Sequence, residues 1–302
     1  MDQTKDLTTS RLANAWAELQ AHARDGSDLD SDAYRLAFAD PEFLLRRETR
    51  GIRFQLEMLK PDLGQSEQGI DSTVVVFGSA RFPAPETASA SLAAAESNLA
   101  HVQAAGSNGE ALRDAQNALQ LAKRHMRNAH YYNQARLFAR LVAQYSANLP
   151  LAEQLFICTG GGPGIMEAAN RGAHDLGAPT VGLNIVLPHE QSGNPYITPS
   201  LNFKFHYFAL RKMHFMMRAK ALVAFPGGFG TLDELFEVVT LIQTGKAKAL
   251  PIVLFGSSYW KRLLDFDVLI EEGAISPDDV KLVEYVDEPQ AAWDYIKKFY
   301  QL

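Results

Sequence analysis

The sequence predicts an α/β protein with a Rossmann-like, doubly wound and mainly parallel sheet that carries helices on both faces. Short apolar runs without polar alternation, such as 73–77 and 221–225, are typical of strands buried on both faces. Segments with apolar residues at helical spacing follow these runs. Glycine-rich turns at 160–164 and 227–230 join strand to helix. Because ligands bind at the carboxyl ends of parallel strands, these turns mark the expected site.

The composition argues against a nucleic-acid-binding protein and against a membrane-spanning protein. The 302 residues are 47% hydrophobic, which is enough for one large core or two modest ones, and the net charge of −6 argues against nucleic acid as the main partner. The chain starts with a polar, acidic segment, and no apolar run approaches the ~20 residues that span a bilayer. We therefore expect a cytoplasmic protein without a membrane partner. Cys158 is the single cysteine, so an intramolecular disulfide is excluded.

Two segments are predicted to lie outside the sheet. Residues 1–70 are expected to form a helical extension. Its first helix is capped by Thr9 or Ser10 and carries Leu12, Trp16, Leu19 and His22 on one face, and a second helix begins near Pro41. Residues 61–69 are expected to link the extension to a Rossmann-like domain at 71–302. Within that domain, the alanine-rich and charged segment at about 84–130 predicts an inserted helical hairpin, followed by a separate helix over 135–145. Its composition indicates a surface projection or an oligomer contact.

The first two strand ends carry candidate ligand-binding residues. Gly78 and Ser79 follow strand 73–77, where they suit either an ordinary tight turn or a nucleotide contact. Gly161 and Gly162 follow strand 155–159, and their turn is expected to aim N–H groups at a ligand. Cys158 lies in that strand and is expected to be a buried structural thiol.

The third strand, 179–184, leads into a long polar loop over 185–205, which is expected to fold over a site. Glu190 in this loop is either a contact to ribose or base, or a plain loop carboxylate. The helix 208–218 follows and carries Arg211 and Lys212, which on the residues alone suit a solvated face.

The central element is the strand, turn and helix over 220–237. Gly227, Gly228 and Gly230 are expected to permit positive φ, and Thr231 is expected to cap the helix, so that free N–H groups bind an anion such as phosphate. Glu234 then has two interpretations: the far half of a capping box with Thr231, or a carboxylate used in chemistry. Strands at 251–255 and 282–286 and a helix over 289–299 complete the chain.

Residues 226–234 match the motif P-G-G-x-G-T-x-x-E, and the chain thereby resembles the LOG ("LONELY GUY") family of phosphoribohydrolases, long labelled lysine decarboxylases. Residues 160–169 are similar to the family's G-G-G-x-x-G-I-M-E-A segment, with one residue fewer between the glycines. Gly78-Ser79 and Arg211-Lys212 stand at the family's positions. The resemblance covers about 71–302, and the N-terminal helices look like the extension of longer members.

The resemblance implies hydrolysis of the N-glycosidic bond of nucleoside 5′-monophosphates, AMP or a cytokinin riboside 5′-monophosphate, to free base and ribose 5-phosphate. It implies Arg211 and Glu234 as catalytic residues, a homodimer or larger homo-oligomer, and neither a metal nor a redox cofactor. The alternative is a non-catalytic carrier of a nucleotide or of molybdenum cofactor. The substrate-binding residues would be Gly78, Ser79, Gly161, Gly162, Glu190, Lys212, Gly227, Gly228, Gly230 and Thr231.

Overall fold

The computed structural model describes residues 36–106, 108–186 and 193–302. The chain forms two compact units, 1–59 and 60–302, and the boundary falls inside one helix, α2 (Arg50–Glu67). The first predicted helix, capped by Thr9 or Ser10, lies outside the described residues. In the smaller unit, α1 (Pro41–Leu45) begins as predicted, because the Asp40 side chain accepts a hydrogen bond from the Phe43 N–H at 3.0 Å.

The predicted linker at 61–69 is wrong, because α2 continues to Glu67. Contacts within the larger unit account for this. The Arg218 guanidinium donates to Asp62 Oδ1 at 2.6 Å, to Ser66 Oγ at 2.8 Å and to the Ile70 carbonyl at 2.8 Å. Three charged or charge-assisted hydrogen bonds from one side chain outweigh the weak helix preference of a segment containing Pro61 and Gly64.

A seven-stranded sheet forms the centre of the larger unit, in the order β4-β3-β2-β1-β5-β6-β7 with every neighbouring pair parallel. The predicted fold class is thereby confirmed. The strands are β1 (Thr73–Phe77), β2 (Phe156–Thr159), β3 (Thr180–Ile185), β4 (Asn202–Phe205), β5 (Ala219–Ala224), β6 (Ile252–Phe255) and β7 (Val283–Val286).

Helices cover both faces of this sheet. On β1, Val74 and Val76 belong to one core layer and Val75 and Phe77 to the other, which explains the uninterrupted apolar run. The helices of the larger unit after α2 are α3 (Pro85–Ala104), α4 (Glu110–Ser146), α5 (Ile165–His174), α6 (Phe208–Met217), α7 (Phe229–Gln243), α8 (Ser257–Leu263), α9 (Phe266–Glu271) and α10 (Pro289–Tyr300).

The hairpin of α3 and α4 occupies the predicted insertion. Its second helix is longer than expected, since α4 runs unbroken to Ser146 where two helices were predicted. No glycine or proline interrupts 110–146, so the chain has no residue that would end the helix there. Buried alanines recur every seven residues along the contact, at Ala88 and Ala95 of α3 and at Ala115, Ala122 and Ala129 of α4. Their small side chains let the two helices approach closely.

The predicted loop over 185–205 ends in a strand that was not expected. β4 adds to the sheet edge beside β3, with Leu183 paired to Phe203. Its burial alternates, Phe203 and Phe205 being buried and Asn202 and Lys204 exposed, which is the pattern of an edge strand. Within the described part of the chain, no helix is both long and apolar enough to cross a bilayer.

Candidate active site

The Gly78-Ser79 segment joins three strand ends through its backbone. The Ser79 N–H donates to the Pro226 carbonyl at 3.0 Å, and the Ser79 carbonyl accepts from the Ile165 N–H, the first residue of α5, at 3.1 Å. A Cβ on Gly78 would lie 2.6 Å from Ile165 Cγ2, so only glycine permits this approach. The two predicted residues thus lie between both glycine-rich turns.

The turn at 160–164 is fixed from inside the protein. Gly161 and Gly164 have φ of +74° and +72°, conformations that favour glycine. The Gly161 N–H donates to Thr159 Oγ1 at 3.0 Å, and the Ile165 N–H is taken by Ser79. The prediction that the Gly161 amide faces a ligand is therefore wrong, because a hydroxyl of the preceding strand already accepts its hydrogen bond.

Two buried asparagines hold this turn, and sequence reasoning missed both. The Asn194 side chain donates to the Gly161, Gly162 and Asn170 oxygens at 3.2, 3.1 and 2.9 Å. Asn170 also accepts from the Thr159 hydroxyl at 2.7 Å. The available signal was Asn170 in the middle of the apolar face of a helix, where a polar residue needs a partner. Asn194 gave no such signal, since it lies in a polar loop.

Arg211 is buried, so the solvated-face interpretation is wrong. It lies on α6, is 7% exposed, and its guanidinium donates to the Leu183 carbonyl at 2.6 Å, the Gly160 carbonyl at 3.5 Å and Glu234 Oε1 at 3.0 Å. A Cβ on Gly160 would overlap the Arg211 guanidinium. One side chain thus connects the ends of β2 and β3 to helix α7.

Helix α7 begins three residues earlier than predicted, and this removes one interpretation of Glu234. Gly228 is the N-cap and Phe229 the first helical residue, so Thr231 lies inside the helix and is not its cap. A capping box pairs the cap with the third residue beyond it. Because Glu234 is the sixth residue from Gly228, it cannot be the far half of such a box.

The glycines at 227, 228 and 230 are needed for the space that a missing side chain leaves, and not for a positive φ. None of Gly227, Gly228 and Gly230 has positive φ, contrary to the prediction. A Cβ on Gly227 would overlap the buried Thr231 side chain, whereas Cβ atoms on Gly228 and Gly230 would meet nothing within 4 Å. The backbone at Gly228 and Gly230 is therefore open to a ligand.

The start of α7 has the features of an anion site. The N–H groups of Phe229, Gly230 and Thr231 precede the first intrahelical bond, which runs from the Leu232 N–H to the Gly228 carbonyl at 3.1 Å. The helix dipole adds partial positive charge there. Tyr259 of α8 fixes the turn by donating its hydroxyl to the Gly227 carbonyl at 2.6 Å.

Glu234 and Arg211 form a buried ion pair with a perturbed carboxyl. Burial raises the pKa of Glu234 to about 7, while the positive charge of Arg211 opposes that rise. Burial also lowers the pKa of Arg211, which still stays charged at neutral pH, as guanidinium groups in proteins do. A carboxyl with a pKa near 7 exchanges protons readily at neutral pH, as a general acid or base must.

Lys212 is held by carboxylates of α7. Its ammonium lies 2.7 Å from Asp233 Oδ1 and 3.1 Å from Glu237 Oε2. Burial lowers the pKa of Lys212, but the hydrogen bonds from Asp233 and Glu237 outweigh this and raise it overall. The predicted contact of Lys212 with substrate would require it to leave these partners. Glu190, the other predicted loop contact, lies outside the described residues.

Cys158 is fully buried in β2, and burial raises the pKa of its thiol to about 12, which agrees with the predicted structural role. Across the described ranges, no group of three or more His, Cys, Asp or Glu side chains is arranged to hold a metal ion.

Comparison with known proteins shows which family these residues resemble. A family model described as "Possible lysine decarboxylase" matches residues 166–296, which include Arg211 and Glu234. The chain is 32% identical over 142 residues to cytokinin riboside 5′-monophosphate phosphoribohydrolase LOG3 of Arabidopsis thaliana, covering 46% of this chain and 63% of that protein. The chain is thus similar to the LOG family over less than half of its length.

Further relatives extend this finding. The chain is 31% identical over 154 residues to cytokinin riboside 5′-monophosphate phosphoribohydrolase LOG of Oryza sativa subsp. japonica, covering 45% of this chain and 62% of that protein. The chain thus spans less than two thirds of the length of these relatives. Among solved structures, the molybdenum cofactor carrier protein of Chlamydomonas reinhardtii is 15% identical, with a TM-score of 0.40, over 77% of this chain and 99% of that one.

Proposed function

We propose that this protein hydrolyses the N-glycosidic bond of nucleoside 5′-monophosphates, releasing free base and ribose 5-phosphate. The observation that carries the proposal is the buried pair of Arg211 and Glu234, with its 3.0 Å contact, beside a helix start whose backbone is open at Gly228 and Gly230. The helix start suits a phosphate, and the Glu234 carboxylate suits a positive charge that develops on the substrate.

The phosphate would bind at the start of α7. The N–H groups of Phe229, Gly230 and Thr231 would donate to its oxygens, and the positive end of the helix dipole would favour its charge. Gly228 and Gly230 would allow the phosphate to approach because they have no side chain in its way. A substrate without the 5′-phosphate would lose these interactions.

Glu234 would act on the ribose. Cleavage of the C1′–N bond passes through an oxocarbenium-like ribose, and a nearby carboxylate stabilises its positive charge. Water adds to C1′ and loses a proton, which the Glu234 carboxylate would accept, while the base leaves and takes up a proton. The pKa of about 7 makes this proton transfer feasible at neutral pH.

Arg211 would hold Glu234 in place and in its ionised form. The guanidinium is itself fixed by the Leu183 and Gly160 carbonyls, so that the carboxylate is oriented by a preformed group. Charge-assisted hydrogen bonds of this kind contribute about 1.5–3 kcal/mol each.

The test is Glu234→Gln, which keeps the size and the hydrogen-bonding capacity but removes the negative charge. We expect kcat for AMP to fall by roughly a hundredfold or more, the range typical of a general acid–base group, while KM changes little. Asp233→Asn, assayed at pH 8.5 where the kcat profile is expected to be flat, is the matched control, because it changes an exposed neighbouring carboxylate on the same helix. Equal turnover by Glu234→Gln and the parent protein would remove Glu234 from the reaction.

The alternative, a non-catalytic carrier, predicts binding without cleavage. The purified protein is incubated with AMP and with adenosine, and free adenine is measured. Release of adenine from AMP and not from adenosine supports the hydrolase. Tight binding of AMP with no release of base over many hours would favour the carrier.

A further inference from the structure

Tyr259 of α8 is a side chain that reaches the turn at the proposed phosphate site from a distant part of the chain. Its hydroxyl donates to the Gly227 carbonyl at 2.6 Å, across 32 residues of sequence. The proposed function gives this tyrosine no part in binding or in the reaction. The bond nevertheless lies next to Gly228, whose backbone is open to a ligand. It therefore bears on how the turn presents its N–H groups.

The bond from Tyr259 sets the direction of the Gly228 N–H group. The Gly227 carbonyl and the Gly228 N–H belong to one planar trans peptide unit and point in opposite directions. Because the carbonyl is held toward α8, the N–H points away from α8. Within the described ranges, this N–H has no acceptor, and a Cβ on Gly228 would meet nothing within 4 Å. The Gly228 N–H is thus a donor aimed at space that a ligand can enter.

The two neighbouring carbonyls of the turn are held by main-chain groups. The Pro226 carbonyl accepts from the Ser79 N–H at 3.0 Å, and the Gly228 carbonyl accepts from the Leu232 N–H at 3.1 Å. The Gly227 carbonyl, between them, is the one of these three that is held by a side chain. A substitution can therefore remove this bond alone and leave the other two in place.

Helix α8 is anchored well enough for Tyr259 to support the turn. The adjacent Trp260 is fully buried, and its indole N–H donates to the Ala224 carbonyl at 3.2 Å and to the Phe255 carbonyl at 2.9 Å, at the ends of β5 and β6. The two aromatic rings pack edge to face, with centroids 5.3 Å apart. A shift of Tyr259 would therefore break contacts to two strand ends.

We propose that Tyr259 is a positioning residue for the phosphate of the substrate, because its bond to the Gly227 carbonyl directs the Gly228 N–H at a phosphate oxygen. That this phosphate belongs to a nucleotide rests on the proposed function. Tyr259 acts through the peptide unit between Gly227 and Gly228. Its loss should weaken phosphate binding and leave the chemical step at Arg211 and Glu234 unchanged.

The first experiment needs no catalysis. Ribose 5-phosphate is titrated calorimetrically into the full-length protein, into Tyr259→Phe and into Tyr300→Phe. Tyr300→Phe is the matched control, because the Tyr300 hydroxyl also donates to a backbone carbonyl at 2.6 Å, that of Lys220 at the opposite end of β5. Both tyrosines are half-buried, so the two substitutions remove the same kind of bond.

We expect the Kd of ribose 5-phosphate to rise by roughly 5-fold to 30-fold in Tyr259→Phe and by less than about twofold in Tyr300→Phe. The rise stays below the loss of a whole charge-assisted hydrogen bond, because the Gly228 N–H is misdirected and not removed. The melting temperature should fall by a similar amount in both variants, since each loses one hydrogen bond. A purely structural role for Tyr259 would lower the melting temperature and leave the two Kd values equal, which overturns the inference.

A measurement on the parent protein keeps the inference testable if Tyr259→Phe does not fold. With glycine carrying an NMR-active nitrogen isotope, the Gly228 amide proton should move downfield on addition of ribose 5-phosphate, because a charged acceptor then takes its hydrogen bond. Gly228→Ala assigns this resonance by deleting it, and Gly245, just beyond the other end of α7, is the control that should not move. A Gly228 proton that stays in place at saturating ligand overturns the inference.

The kinetic arm separates this inference from the proposed function. With AMP, Tyr259→Phe should raise KM by the same factor as Kd, with kcat changed by less than about twofold. If AMP is hydrolysed and Tyr259→Phe keeps the KM and Kd of the parent, the hydrolase stands and the role of Tyr259 falls. If ribose 5-phosphate binding depends on Tyr259 and no nucleotide is cleaved, the role of Tyr259 stands and the hydrolase falls. Failure of ribose 5-phosphate to bind the parent protein overturns the inference.

Discussion

At the scale of single residues, the carboxyl of Glu234 is controlled by two neighbours of opposite charge. The Asp233 carboxylate raises the pKa of Glu234, and the Lys212 ammonium lowers it, although burial is the largest cause of the shift to about 7. Because the ionised form is the one proposed to act, kcat should rise with pH through the pKa, between about pH 6 and pH 8.

These two neighbours predict opposite displacements of the pH profile. Asp233→Asn removes a negative charge and should move the midpoint of the kcat profile to lower pH. Lys212→Met removes a positive charge and should move it to higher pH. The measurement is base release from AMP across pH 5.5–8.5 in about half-unit steps. If the midpoint of the kcat profile is the same in both variants as in the parent protein, the pH dependence of the rate belongs to a group other than Glu234.

The glycines offer a second residue-scale prediction. Gly160→Ala places a methyl group on the Arg211 guanidinium and should disrupt the pair, lowering kcat. Gly228→Ala meets no protein atom and should leave the melting temperature unchanged, yet raise KM for AMP if phosphate approaches there. A Gly228→Ala protein with unchanged KM would place the phosphate elsewhere.

At the scale of elements, a helix or strand could be predicted where its own residues carry the pattern, and not where contacts with distant residues decide its bounds. β1 and the centre of β5 were identified because strands buried on both faces are apolar throughout. β4 was missed, although Phe203 and Phe205 alternate with polar residues, because four residues at the end of a long polar loop form a weak pattern. Tertiary contacts to Arg218 that extend α2 leave no local trace.

In the candidate active site, too, residues with a local motif were predicted and residues held by distant contacts were not. The motif at 226–234 identified Glu234, but the start of its helix was misplaced by three residues, since Thr231 looks like a cap in sequence. Asn194 could not have been found, because its bonds to the turn bridge more than thirty residues of chain. Contacts between distant strand ends also decide which backbone N–H groups can reach a ligand. The Ile165 N–H, for example, donates to the Ser79 carbonyl.

The packing of α3 against α4 in the hairpin gives a prediction about stability. Ala122 is buried where α4 meets α3, so Ala122→Leu should overpack this contact and lower the free energy of unfolding by about 1–3 kcal/mol. Ala118→Leu, on the exposed face of the same helix, adds the same volume and should change it by less than about 0.5 kcal/mol. Urea unfolding of both variants checks this, and equal losses would contradict a packed hairpin.

At the scale of the whole molecule, we propose a homodimer or larger homo-oligomer. Exposed apolar side chains on the helices that flank the sheet, such as Phe208 and Met213 of α6, would then be covered by a second copy. Sedimentation velocity at micromolar concentration should give a mass above that of one 33.3 kDa chain. A stable monomer with full activity would refute the proposal.

The bonds of Arg211 also bear on how the protein is made. They reach back 28 and 51 residues to Leu183 and Gly160 and forward 23 residues to Glu234. A chain still on the ribosome, with β1 to β3 already emerged, therefore lacks both the cation and its carboxylate partner. Since synthesis proceeds from the N-terminus and domains fold as units, a nascent fragment that ends before α7 lacks the pair on which the proposed function rests. Under that proposal, nucleotides would meet the complete site only after translation has passed α7.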